Sequence, residues 1–345
     1  SNDAGVISEA PVDNFTLLGQ GARALEVKRQ GESAPSRAMD NLFWLGRYAE
    51  RTEAFVRMLR AVTSRLTDEP ASALEVARKL LIPFSQASDN PIEEIASEQA
   101  LAEELQLLVF SPYNSRGLQR LLARVEQTGW SVRDRLSLDT WRSIHALAAR
   151  EVLPAQDALF DAAATRLYLD GLVARAAALA GLSAENMTRG PNYLFLDLGR
   201  RLERALHLAW LLRQTVASPD ARETEHMRIL LEIDDSAMTY RSRYFNVFQL
   251  VPFIDLLMLD EHNPRSCAFQ LAAIESHLRE LPRVTLAQRS DVPRTVVQEM
   301  RTALANANLT PAGIDRVFLT GGSELVDGLR AIFHRRFDAS KIETG

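Results

Sequence analysis

The sequence predicts an all-α protein: an antiparallel helical bundle built from two duplicated halves, with a small βα unit at the C-terminus. Three observations predict this class. Apolar residues recur at helical spacing over most of the chain, almost no period-two alternation occurs before residue 310, and one helix-spaced motif occurs twice. The composition is that of a globular protein, with 46% hydrophobic and 25% charged residues.

The helices follow from their start and stop signals. The character of the sequence changes at Pro35-Ser36, and a long helix is predicted with Ser36 as its N-cap, running to about Leu66. Asp139 is expected to cap another long helix, broken near Pro154, that stops at Gly181. Pro191 fits the first turn of a helix that runs to about Val216. Further helices are predicted at about 71–85, 92–109, 114–136, 221–243, 246–259 and 263–281.

Composition excludes several classes of function. The net charge of -5, without a basic stripe interleaved with aromatic residues, speaks against a nucleic-acid partner. The sequence contains no run of about 18 apolar residues, so no membrane-spanning helix is predicted. The single Cys267 precludes an internal disulfide and favours a reducing, cytoplasmic location. The start at Ser1 lacks a methionine and a signal-peptide pattern, which suggests the cut end of a larger polypeptide.

An internal repeat is the most specific feature. Leu45–Arg51 and Leu198–Arg204 are identical at five of seven positions, 153 residues apart. Asn114-Ser115-Arg116 and Asn263-Pro264-Arg265 form a second pair in the same order, 149 residues apart. The two pairs predict a duplication whose halves, 36–181 and 186–282, together form one helical domain.

The repeated motif places Arg, Glu and Arg at i, i+3 and i+4 on one helix face, after a glycine that allows close backbone approach. In one interpretation the charges form an ion-pair ladder that fixes how the halves dock. In the other they line a central polar pocket, where Glu50 and Glu203 are catalytic or bind a metal of unknown type. The candidate groups for binding a substrate or anion are then Arg47, Arg51, Arg200, Arg204, Asn114, Arg116, Asn263 and Arg265.

Other polar signals are weaker. Glu232, Asp235 and Thr239 share one face of a predicted helix, which is either solvated or part of a carboxylate cluster beside the same pocket. His207 lies on an apolar helix and is predicted to be a packed core residue. No His-Glu-x-x-His motif, Walker loop or Gly-x-Gly-x-x-Gly motif occurs.

The segment Ser36–Arg51 resembles the opening of the bacterial alpha-E domain family, and the resemblance extends over 36–282. The family is helical and occurs beside, or fused to, circularly permuted ATP-grasp proteins and transglutaminase-like proteins. The resemblance therefore implies a role near ATP-dependent peptide or amide ligation, with ATP entering only through such a partner. Residues 1–35 resemble the extended junction between an ATP-grasp module and its alpha-E domain.

The tail, 283–345, reads as helix, strand, turn and helix. Val317–Leu325 is similar to the adenosine-binding motif at the end of DnaK-type actin-like ATPases. That resemblance implies a nucleotide contact at Gly321, Gly322 and Ser323. The alternatives are a chimeric tail and a small βα unit docked on the bundle.

Three functions follow. The first is an accessory helical domain that positions an ATP-grasp ligase or its substrate. The second is an enzyme with a central Glu/Arg pocket acting on a peptide or amide. The third is a nucleotide-binding regulator acting through the Gly-Gly-Ser turn. The sequence leaves open the substrate, the oligomeric state and whether the chain is an enzyme.

Overall fold

In the computed structural model, the described residues are 36–68, 71–84, 97–149, 159–216, 224–245, 247–281, 317–319 and 342–344. The all-α class is confirmed, because the described part of the chain contains eleven α-helices. They are α1 Ser36–Asp68, α2 Ala71–Leu81, α3 Glu98–Phe110, α4 Leu118–Ser131, α5 Leu138–Ala148, α6 Ala162–Asn186, α7 Pro191–Val216, α8 Thr224–Ile233, α9 Ala237–Tyr244, α10 Leu250–Ile254 and α11 Cys267–Glu280.

Short elements join or extend these helices. Ile82–Phe84 and Arg133–Arg135 are 3₁₀ turns, and Asp255–Leu259 continues α10 as a π-helix. Two strands of three residues, β1 Val317–Leu319 and β2 Ile342–Thr344, pair in parallel with Val317 opposite Ile342. The sequence predicts a strand at β1, and the turn and helix that it predicts next lie outside the described residues.

The two longest helices, α1 and α7, pack together more extensively than any other pair. Around them, α4 and α6 pack on α1, and α11 packs on α7. Apolar residues at helical spacing fill the interior, and Leu42, Leu45, Met58 and Leu59 of α1 are at most 2% exposed. The repeated motif therefore lies on the two helices that form the centre of the bundle.

Three predicted helix boundaries are wrong. Gly181 does not end a helix: α6 runs through it to Asn186, and no neighbouring group lies where its side chain would be. Ser137, not Asp139, caps α5, since its side chain accepts a hydrogen bond from the Thr140 amide. The helix predicted at 221–243 is two helices, because the chain turns at Asp235, which has a positive φ of 55°.

The order of the helices matches the repeat. In the first half α1, α2 and α3 precede the Asn114 loop and α4; in the second, α7, α8 with α9, and α10 precede the Asn263 loop and α11. The additional helices α5 and α6 follow α4. This order supports a duplication, and the boundaries of the halves at 36–181 and 186–282 stay a prediction.

By length and composition, α6 is the one helix among the described residues that could cross a membrane. A core helix passes the same test, and in this structure Leu169, Leu172 and Leu179 of α6 are buried in the bundle.

Candidate functional site

The repeat helices cross at their two glycines. A β-carbon on Gly46 would overlap the backbone oxygen of Leu196 and lie 3.0 Å from the Arg200 nitrogen. A β-carbon on Gly199 would overlap the backbone oxygen of Phe43 and lie 3.1 Å from the Arg47 nitrogen. These contacts are related by the 153-residue offset, so the crossing has a local pseudo-twofold axis.

The first Glu of the repeat is bound by the arginines of the second motif. Arg204 holds Glu50 in a bidentate pair, with Nε 2.5 Å from Oε1 and Nη2 2.8 Å from Oε2. Arg200 Nη2 lies 3.6 Å from the same Oε2. Glu50 is 3% exposed, and burial makes a paired charge necessary. The carboxylate of Glu50 raises the pKa of Arg204 against the opposing effect of burial.

The reverse arrangement holds for the second Glu. Arg51 binds Glu203 with Nε 2.6 Å from Oε1 and Nη2 3.1 Å from Oε2, while Arg47 Nε lies 2.7 Å from Oε2. Glu203 is 6% exposed, whereas the side chain of Arg51 is 41% exposed. Each motif therefore neutralises the carboxylate of the other, but this second pairing is closer to solvent.

This geometry favours the ion-pair interpretation of the repeat. Glu50 accepts two guanidinium hydrogen bonds from Arg204, and Glu203 accepts three from Arg47 and Arg51. Arg200 forms a longer ion pair with Glu50, so all four arginines lie against carboxylates of the opposite motif. The cavity beside the crossing has a volume of about 20 Å³, room for one or two water molecules, and is lined mainly by apolar groups. Within the described ranges, no three His, Cys, Asp or Glu side chains converge as metal ligands.

A second layer of charge continues along α1. Glu53 accepts hydrogen bonds from Arg57 at 3.0 Å and from Arg265 at 2.8 Å. Burial by itself would raise the pKa of Glu53, but Arg265, Arg204 and Arg57 lower it to about 2. Arg57 also lies 3.3 Å from Asp235. This layer ties α1 to the turn after α8 and to the loop before α11.

The turn after α8 buries a carboxyl group. Asp234 is 6% exposed, and its Oδ2 accepts a hydrogen bond of 3.3 Å from the Ser236 hydroxyl. Burial raises the pKa of Asp234 to about 7, although nearby arginines oppose the shift. Because the chain turns here, Glu232 and Asp235 do not share a continuous helix face: Glu232 binds Arg65 at 2.5 Å, and Asp235 lies near Arg57.

The two Asn loops are structural turns. The Asn114 side chain accepts a hydrogen bond from the Arg116 amide at 2.9 Å, and Asn263 accepts one from the Arg265 amide at 3.1 Å. Each turn leads directly into the next helix. Of the two arginines, Arg265 faces the central helices through Glu53, whereas Arg116 Nη1 reaches the Pro83 carbonyl at 3.5 Å.

Sequence reasoning missed a polar cluster between α7 and α11. Asp197 accepts hydrogen bonds from Arg201 at 3.0 Å and pairs with His277 Nε2 at 2.8 Å. Burial would raise the pKa of Asp197, but His277 and the arginines hold it well below its usual range. Arg201 also donates to Gln270 at 3.2 Å. The cluster joins α7 to α11, and residue spacing along a single helix does not predict a contact between two helices.

A periodic signal could have found Glu53 and Arg57. With Gly46 and Glu50 they occupy positions i, i+4, i+7 and i+11, one continuous stripe on α1. The second motif has Leu206 at the position equivalent to Glu53, so comparison of the two motifs does not single out Glu53. His207 is packed against Trp210, as predicted for a core residue, with ring centroids 5.8 Å apart.

The remaining candidate residues are Gly321, Gly322 and Ser323, which lie outside the described residues, as does the 1–35 segment. Their proposed contacts stay predictions.

Comparison with known proteins identifies the family. The Alpha-E family, described as a predicted alpha-helical domain with a conserved ER motif, matches residues 34–335. The match extends past 282 into the tail. The dipeptide Glu-Arg occurs twice in this chain, at Glu50-Arg51 and Glu203-Arg204, and both copies lie at the helix crossing.

Three mycobacterial relatives are similar over most of the chain. They are the uncharacterized proteins Rv2567 and MT2643 of Mycobacterium tuberculosis strains H37Rv and CDC 1551, and Mb2597 of Mycobacterium bovis. Each is 28% identical over 331 residues, covering 89% of this chain but 36% of the relative, so the chain spans about a third of their length. No solved structure matches. With its helical bundle, its two Glu-Arg pairs and this family match, the chain belongs to the Alpha-E family.

Proposed function

We propose that this chain is an accessory helical domain that positions a circularly permuted ATP-grasp ligase, or its peptide or amide substrate, rather than a catalyst. The observation that carries the proposal is the reciprocal pairing of Glu50 and Glu203 with the arginines of the opposite motif. Arginine side chains of the opposite motif occupy the oxygens of both carboxylates, so neither carboxylate is free to contact a substrate. The motif therefore serves to fix the geometry of two central helices.

The family resemblance and the lengths of the relatives support the choice of partner. Alpha-E domains occur beside or fused to ATP-grasp proteins and transglutaminase-like proteins. The matched region is 36% of each relative, so in those proteins the domain is one part of a longer chain. A rigid bundle is suited to hold neighbouring modules at a fixed distance. Cytoplasmic location is part of the proposal, because ATP-dependent ligation takes place there.

The test is a titration of a purified circularly permuted ATP-grasp protein with this chain. Calorimetry measures the complex, and ADP release measures the rate of ligation. We expect saturable binding and a changed ligation rate. No complex together with no rate effect would overturn the proposal.

A second experiment separates positioning from catalysis. Glu203→Gln keeps oxygen and nitrogen atoms beside Arg47 and Arg51 but removes the acid-base group. If circular dichroism shows an intact bundle, the accessory role predicts that the effect on the ligase persists within about twofold. Loss of the effect in a folded variant supports the enzyme alternative. Glu50→Gln repeats the test on the equivalent carboxylate in case Glu203→Gln fails to fold.

A further inference from the structure

A buried carboxyl group without an ion-pair partner lies at the turn between α8 and α9. Asp234 is 6% exposed, and among the residues that the structure describes its side chain accepts one hydrogen bond, from the Ser236 hydroxyl at 3.3 Å. By contrast, the nearest guanidinium nitrogens lie 2.5 to 2.8 Å from the buried carboxylates of Glu50, Glu53 and Glu203. An ionised carboxylate needs such a partner when it is buried, so the contacts of Asp234 fit its protonated form.

The positive charges that face Asp234 are already engaged elsewhere. Arg57 of α1, Arg204 of α7 and Arg265 of the loop before α11 all act on its carboxyl group. Arg57 and Arg265 donate to Glu53, and Arg204 is held in the bidentate pair with the glutamate of the first motif. Because burial outweighs these more distant charges, the pKa of Asp234 rises to about 7. Loss of its proton would therefore leave a buried negative charge without a free guanidinium group to receive it.

A chain of buried hydrogen bonds connects Asp234 to the loop before α11. The Ser236 hydroxyl donates to Asp234 and accepts a hydrogen bond from Asn263 Nδ2 at 3.3 Å. Asn263 Nδ2 also donates to the Leu256 carbonyl at 3.1 Å, and its Oδ1 accepts from the Arg265 amide at 3.1 Å. The turn after α8, the π-helix and the loop before α11 are therefore joined through one network that ends at Asp234.

The backbone beside this network adopts a strained conformation. Asp235 has a φ of 55°, and a residue other than glycine keeps such a conformation only where the surrounding contacts hold it. Cys267 of α11 also faces Asp234, and burial raises the pKa of its thiol to about 12, so the thiol stays neutral near pH 7. The turn is therefore held by contacts that depend on the charge of Asp234.

We propose that the turn between α8 and α9 is a proton-controlled latch. With Asp234 protonated, the turn stays docked between α1 and the loop before α11. When Asp234 loses its proton, the turn and the loop open together, because opening brings water to a charge that has no partner in the docked state. The latch makes the stiffness of this end of the bundle depend on pH, and the inference does not rest on the proposed function.

The direction of the pH dependence follows from the two states of the turn. In the open turn Asp234 is hydrated and its pKa returns to the ordinary value of about 3.9, whereas in the docked turn it is about 7. Between these two pH values opening releases a proton, so the open fraction rises by up to about tenfold per pH unit and levels off above pH 7. The pKa of Glu53 is about 2, so Glu53 stays ionised over this whole range.

The test is amide hydrogen exchange of the full chain at pH 5 and pH 8, corrected for the intrinsic dependence of exchange on pH. Protection of peptides that cover 234–236 and 263–266 should fall at least tenfold at the higher pH, and protection at the centre of α1 should fall less. Asp234→Asn keeps the shape without the titrating group and should make protection of the turn independent of pH within about twofold. The matched controls are Asp235→Asn, a neighbouring carboxylate that is 61% exposed, and His262→Gln, an imidazole of the same loop that is 94% exposed. Both controls should retain the response of the wild type.

A titration of the Asp234 carboxyl carbon by nuclear magnetic resonance gives a readout that does not need the Asn variant to fold. In the wild type we expect a midpoint near pH 7, and Arg265→Gln should raise it, because Arg265 is foremost among the charges that favour the ionised form. A midpoint near pH 4 would overturn the proposal. Equal pH dependence of exchange in Asp234→Asn and the wild type would also overturn it. Loss of protection throughout the bundle in step with the turn would mean that the turn is not a separate latch.

Discussion

The glycine crossing makes a sharp prediction for Gly46→Ala. In an ordinary helix this change stabilises by roughly 0.5–1 kcal/mol, because alanine has the higher helix propensity. At Gly46 the new methyl group would overlap the backbone oxygen of Leu196, and the Arg200 nitrogen lies 3.0 Å away. Backbone atoms cannot rotate aside as a side chain does, so the axes of α1 and α7 must separate.

The expected magnitude combines three effects. Overpacking in a well-packed interior costs about 1–3 kcal/mol. Separation of the helices also lengthens the buried Glu50–Arg204 pair, whose complete loss would cost about 3–5 kcal/mol. After subtraction of the propensity gain, Gly46→Ala should lower the free energy of unfolding by about 2–4 kcal/mol.

The assay is urea unfolding followed by far-ultraviolet circular dichroism. Gly181→Ala in α6 is the matched control and should be stabilising, because apart from the local backbone of α6 no described group lies within 4 Å of the position that its new β-carbon would take. Gly199→Ala should resemble Gly46→Ala, and the double variant should lose less than the sum, since the first change already opens the crossing. A Gly46→Ala variant as stable as Gly181→Ala would refute the close crossing.

Three further predictions concern charge and capping. Glu50→Gln should lower the free energy of unfolding by about 3–5 kcal/mol. Glu203→Gln should lower it by only about 1–3 kcal/mol, because Arg51 is 41% exposed and solvent screens its charge. Urea unfolding that shows the reverse order would contradict this prediction. The pKa of Asp234 is raised to about 7 in the folded state, so its contribution to stability is complete below the unfolded pKa of about 3.9 and is lost as pH rises towards 7. Asp234→Asn should therefore be more stable than the wild type at pH 8 and similar to it near pH 4, and equal pH dependence of the two would exclude a protonated Asp234. Ser266→Ala removes the side-chain acceptor for the Phe269 amide and should cost about 1 kcal/mol, measurable as a lower urea midpoint.

The central helices could be predicted from sequence because their signals are local. Helical periodicity predicted the C-terminal end of α1 to within about two residues, and Pro191 predicted the start of α7. The repeat also indicated that the two motifs meet at the centre, either as an ion-pair ladder between the halves or as the lining of a pocket. Their offset relates residues one to one, so the partner of each Glu follows once the helices are assumed to cross at the glycines.

The rest depends on contacts that no local pattern encodes. The turn at Asp235 needs a positive φ in a residue other than glycine, which helical spacing does not reveal. Gly181 resembles a stop signal, but a helix ends at glycine only where the backbone adopts a left-handed conformation, and α6 does not. The Asp197–His277 pair joins residues 80 positions apart on different helices, so it required the packing of α11 on α7.

The most direct test of the account is a double-mutant cycle on Glu50 and Arg204, with Glu50→Gln, Arg204→Met and the combined variant unfolded in urea. Reciprocal ion pairs across the crossing predict a stabilising coupling energy of about 2 kcal/mol or more, so the double variant should be far less destabilised than the sum of the single variants. Additive effects within about 0.5 kcal/mol would mean that these groups do not bind each other, and would contradict the proposed role of the motif.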